Sequence, residues 1–189
     1  MSASIFISGD IMNTCRSSSF ISHELKKIIL SQDFAICNFE APVEGVGYKI
    51  MKAGPNHNQK EETIRLLKND GFDLILLANN HIYDYGEEAL AYTLKVASKQ
   101  KMLTIGAGLS KKDVYKPLVK EINGTKIGII NACEAQFGVL DYISSNQESG
   151  YAWINHPQIE DAIRTTKKDV DKVIVCAHAG LEDYPVPIS

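Results

Sequence analysis

The pattern around which the chain is arranged runs from Phe72 to Gly86, FDLILLANNHIYDYG. A nearly unbroken apolar run, Asp73 to Ala78, gives way there to Asn79, Asn80 and His81. Such a run predicts a short strand buried on both faces, the habit of parallel sheets. A helical period resumes after Gly86 and reaches about Lys99. Asp84, with Glu87 three positions on, has the spacing of a helix N-cap. The same alternation recurs along the chain. Further strands are expected at Ser4 to Ser8, Phe34 to Phe39, Leu103 to Ile105 and Val173 to Ala177. Helices are expected at Phe20 to Leu30, Gln59 to Asn69 and His156 to about Lys168, the last with Pro157 in its first turn. Asn123-Gly124 between Leu118–Ile122 and Lys126–Asn131 predicts a hairpin. Residues 41–58 form a connection longer than most, punctuated by Pro and Gly and suited to a lid or binding loop. Residues 134–155, with Trp153, read as irregular. The fold class is α/β with a mostly parallel sheet.

Composition narrows the function. With 189 residues, 44% hydrophobic and 23% charged, the chain reads as one ordinary globular domain. A net charge of −3 offers no basic face, so neither nucleic acid nor an anionic membrane is an expected partner. No basic segment leads into an apolar stretch at Met1, and no apolar run approaches the ~20 residues a bilayer requires. A cytoplasmic location is therefore expected. Cys37, Cys133 and Cys176 fall in or at the end of predicted strands, Cys15 in a polar loop, and none forms a Cys-x-x-Cys pair. Buried thiols rather than disulfides are expected.

Asp10, Glu40, Asn80-His81 and His178 each follow an apolar run at its carboxyl end. Any one of them alone reads as a helix cap, turn chemistry or a solvated side chain. Together they would meet, because parallel strand ends converge on one crevice. Carboxylate, carboxamide and imidazole make a mixed oxygen and nitrogen set that suits Mn, Fe or Zn better than Ca or Mg.

In order, Gly9-Asp10, Asn38-Phe39-Glu40, Lys52 to His57, Ala78 to Gly86, Gly106 to Gly108 and Ala177 to Pro187 resemble the bacterial capsule-synthesis (CapA, poly-γ-glutamate biosynthesis) family. That family is similar to the calcineurin-like metallophosphatases. The resemblance implies a metallophosphatase-like layered sandwich, C-terminally truncated because a Gly-His-x-His-like segment of the family has no counterpart before Ser189. It implies metal ligation by Asp10, Glu40, Asn80 and His178, with His81 as general acid. Asp84 and Glu182 match acidic positions of its motifs; Asp84 is a second catalytic candidate, though the residues alone read it equally as the N-cap. Met12 stands where ordinary metallophosphatases carry a histidine. The implied cofactor is a divalent metal, with tight binding of two ions disfavoured by the missing ligands. The implied activity is hydrolysis of a phosphoester, or a related ester or amide, in a small-molecule or polymer substrate. The alternative is a non-catalytic scaffold of a polymer-handling assembly, or an inactive truncated product. The Val173, Ile174, Val175 cluster is expected to be partly uncovered, with self-association through this C-terminal strand edge.

Overall fold

The computed structural model describes residues 2–14, 20–134 and 149–180. Strands β1 (Ile5–Ile11), β2 (Phe34–Phe39), β3 (Leu74–Leu76) and β4 (Leu103–Ile105) form a parallel sheet in that order. Helices α1 (His23–Leu30), α2 (Glu61–Asn69) and α3 (Gly86–Lys99) make its crossovers. After a two-residue strand, β5 (Ala107–Gly108), and a one-turn helix, α4 (Lys111–Val114), comes the expected hairpin of β6 (Leu118–Ile122) and β7 (Thr125–Cys133). Strand β8 (Gly150–Tyr151) pairs with β5, helix α5 spans Pro157–Asp169, and β9 (Lys172–His178) lies parallel to β7. The second sheet thus has the order β6-β7-β9.

The two sheets lie face to face. Alternation along β2 sends Phe34 and Ile36 toward Ile127, Ile129 and Ile174 of the second sheet. Ala35, Cys37 and Phe39 join Ile29 of α1, Ile64 and Leu67 of α2, and Leu90 of α3. Every residue of β2 is therefore buried, which is why its sequence is a continuous run rather than an alternating one. Helix α5 covers the outer face of β7. A side chain at Gly128 would come within 2.2 Å of Thr166 Cγ2, so glycine there permits the approach. Among the described residues no helix is long and apolar enough to cross a membrane. Cys37 and Cys133 are buried free thiols and Cys176 a half-buried one; Cys15 lies outside the described residues.

Several expectations shift in detail. Strand β1 does not stop at Ser8 but continues through Gly9-Asp10, with an irregularity between Ile7 and Asp10 that places Asp10 opposite Asn38. Asp84 is not the N-cap of α3: Tyr85 occupies that position without a side-chain bond. The Asp84 carboxylate is withdrawn into the interior, where long-range partners outcompete the local cap. Helix α1 starts three residues later than its apolar period suggests, because the Ser22 hydroxyl accepts from Leu25 N–H and fixes the first turn. Of the terminal cluster, Val175 is 43% exposed while Val173 and Ile174 are half-buried. Strands β1 and β9 border a cleft of about 270 Å³ that leads from Ile7 and Val175 to Asp10 and His178.

One polar side chain ties the sheets together. The carboxamide of Asn131, buried on β7, accepts from Ala78 N–H at 2.7 Å and donates to Cys176 C=O at 3.1 Å. Gly106, at φ +90°, makes room for it; a Cβ there would lie 2.0 Å from Asn131 Oδ1. Replacing Asn131 by Leu strands the buried Ala78 N–H, so a loss of at least about 1–3 kcal/mol is expected. Urea unfolding checks this, with a lowered midpoint and an unchanged slope as the expected outcome.

Candidate metal centre

The bulge in β1 turns Asp10 into the crevice at the carboxyl end of the first sheet. Glu40 follows β2 directly, and the chain then leaves through Ala41 at φ +80°, a left-handed conformation uncommon for a residue with a Cβ. Asn80 and His81 lie on the turn after β3, and His178 is the last residue of β9. Asp10, Glu40 and His178 each present a ligand atom within 4.8 Å of the others. Asn80 Oδ1 is 3.1 Å from His178 Nε2, and His81 Nε2 is 3.9 Å from Glu40 Oε1. The structure thus brings together all five residues singled out at the strand ends. Glu182 lies outside the described residues.

The electrostatics fit a cation. The His178 hydrogen bond, helped by Asn38, holds the Asp10 carboxyl below the usual carboxylate range against the opposing effect of burial. Glu40 is pushed upward, first by burial and then by the negative charge of Asp10. Burial alone would lower His178, but the hydrogen bond and charge of Asp10, with Glu40 behind them, hold it above the ordinary histidine value. Two carboxylates drawn together with one imidazole between them form a set that a divalent cation neutralises.

Amides hold this set in place. Asn38 Nδ2 donates to Asp10 Oδ1 at 2.6 Å, and Asn79 Nδ2 donates to Asn38 Oδ1 at 3.2 Å and to Phe39 O at 2.9 Å. Asn79 Oδ1 accepts from His81 N–H at 3.2 Å. Behind His81, Asp84 Oδ2 lies 2.7 Å from Nδ1 and accepts from His57 N–H at 2.7 Å, while Asp84 Oδ1 pairs with Lys52. The ring of His57 meets that of His81 edge-on at 4.7 Å. Asn38, Asn79 and His57 carry no role that the residues alone assign. Their signal was membership of the Asn38 to Glu40, Ala78 to Gly86 and Lys52 to His57 motifs.

The family profile described as "Bacterial capsule synthesis protein PGA_cap" matches residues 4–187. The chain belongs to this family. It is 28% identical over 172 residues to "Capsule biosynthesis protein CapA" of Bacillus anthracis, covering 87% of this chain and 41% of that protein. It is 27% identical over 160 residues to "PGA biosynthesis protein CapA" of Bacillus subtilis (strain 168), covering 84% of this chain and 42% of that protein. This PGA_cap chain therefore spans about two-fifths of the length of the curated relatives it matches. A putative 5'-nucleotidase from Staphylococcus aureus, solved in complex with α-ketoglutarate, superposes with a TM-score of 0.52 at 14% identity. The match covers 96% of this chain and 38% of that one. The likeness supports the layered, metallophosphatase-like sandwich expected from the sequence.

If the strand-end cluster holds a cation, Mn²⁺ or Zn²⁺ raises the melting temperature, by about 2.7 kcal/mol of stabilisation at a hundredfold excess over Kd. His178→Ala should shrink the rise and Lys112→Ala should leave it intact. Differential scanning calorimetry with and without the ion checks both.

Proposed function

We propose that this domain is a metal-assisted hydrolase acting on a phosphoester, or a related ester or amide, in the production of capsule or poly-γ-glutamate. The observation that carries the reading is the convergence of Asp10, Glu40 and His178 within 4.8 Å, with His81 Nε2 beside Glu40. The donor set suits manganese, iron or zinc, and Asn80 Oδ1 stands next to it. A divalent cation there supplies Lewis acidity at the bond under attack. The chain's own residues do the rest. Asp10, Glu40, Asn80 and His178 would hold the ion at the strand ends. His81, backed by Asp84 at Nδ1, keeps Nε2 facing the same crevice, where it can hand a proton to a leaving group. The cleft between β1 and β9 opens the site to a substrate larger than the scissile group.

Hydrolysis is tested with p-nitrophenyl phosphate and Mn²⁺. His81→Asn should lower kcat by about 10²–10⁴-fold, the usual worth of a general acid, while keeping the metal-induced rise in melting temperature. A parent that binds metal yet turns over no phosphoester would move the reading to a non-catalytic scaffold of a polymer-handling assembly.

A further inference from the structure

Asp84 and Lys52 both have fully buried side chains, and their ion pair lies directly behind His81. The two oxygens of Asp84 are divided. Oδ1 takes the Lys52 ammonium, while Oδ2 takes the His57 backbone N–H and faces His81 Nδ1. The Asp84 carbonyl accepts from Ile50 N–H at 3.0 Å and from Asn56 Nδ2 at 3.1 Å. Lys52 Nζ also donates to the Asn80 carbonyl at 3.3 Å and sits 3.0 Å from His81 Nδ1. A lysine ammonium has three donors, no acceptor and a strong preference for water, so its complete burial demands acceptors already in place. Those acceptors are the two ends of the turn that carries His81: the Asn80 carbonyl before it and the Asp84 carboxylate after it.

The donor count places a proton on one nitrogen of His81. Both Lys52 and Asp84 lie within reach of His81 Nδ1, but an ammonium only donates and a carboxylate only accepts. The shorter contact, 2.7 Å, is to the carboxylate, which places a proton on Nδ1; as general acid the ring carries a second proton on Nε2, the atom that faces Glu40. Lys52 and Nδ1–H therefore grip one carboxylate from two sides, and it cannot rotate without losing one of them. We propose that Lys52 is a positioning residue for His81: by bridging the Asn80 carbonyl and the Asp84 carboxylate, it fixes the ring with Nε2 toward the Asp10–Glu40–His178 cluster. A loop anchor alone would need the ion pair with Asp84 but not the contact to the Asn80 carbonyl. The proposal rests on the hydrolase reading for its purpose and on the buried contacts for its geometry.

The test uses the full chain loaded with Zn²⁺, which leaves NMR spectra sharp. In the parent, His81 Nδ1–H, shielded and bonded to a buried carboxylate, should give a resolved downfield imidazole proton. Lys52→Met should broaden or abolish that resonance while the zinc-induced rise in melting temperature persists; Lys52→Gln serves if Lys52→Met does not fold. Lys52→Arg should restore the resonance at least in part. On p-nitrophenyl phosphate, kcat should fall at least about tenfold with little change in KM. A folded Lys52 variant with the resonance and kcat of the parent would make Lys52 a loop anchor and overturn the proposal. A resonance lost in the variants of a parent that hydrolyses no phosphoester would leave the positioning role standing and remove the hydrolase reading instead.

Discussion

His178 comes from the second sheet, whereas Asp10 lies on a strand of the first and Glu40 and Asn80 follow strands of it, so the cluster exists only while the two sheets hold one register. The apolar contacts between them, among Ile36, Leu76, Ile129 and Ile174, are strong but have no direction. Hydrogen bonds have direction, and Asn131 supplies one to each sheet through the same carboxamide. It joins Ala78, the residue that leads into Asn79 and Asn80, to Cys176, two residues before His178. Asn131 thereby helps to set the distance between the two halves of the site, beside the contact of His178 with Asn80, and Gly106 is kept bare to admit it.

Around the ligands the chain favours amides over further charges. Asn38 and Asn79 carry a hydrogen-bonded path from Phe39 to Asp10 without adding a titrating group. Neutral donors of this kind orient a carboxylate yet leave its charge largely available to a cation. The fully buried ion pair close by, Lys52 with Asp84, is turned away from the cluster and compensates itself. The result is a division of labour, with two carboxylates facing one imidazole at the strand ends and a closed ion pair behind His81.

How much of this was legible depends on how local each signal is. The strand ends were readable because an apolar run stopping at Asp, Glu or Asn-His is visible within a few residues, and parallel topology does the gathering. The Asp84 to Glu87 spacing misled for the same reason: a capping pattern is local, while the partners that claimed Asp84 are Lys52 and His57 in the preceding loop. No periodicity marks a lysine in an extended loop as buried. Strands β5 and β8 are two residues each, too short for any alternation to register. The bulge that aims Asp10 inward depends on pairing with β2 and left no trace beyond Gly9.

Because β9 supplies the imidazole, the ligand set is also ordered in time. During synthesis Asp10 and Glu40 leave the ribosome early and can pair in the first sheet as soon as β2 has followed β1. His178 arrives only after the hairpin, α5 and the parallel pairing of β9 with β7. A nascent chain therefore displays a pair of carboxylates well before it displays a complete site. Hard, oxygen-seeking ions can occupy that early pair, while an ion that prefers nitrogen is held firmly only once the last strand has docked. Any ion held at the strand ends would meet its nitrogen donor only when the last strand docks.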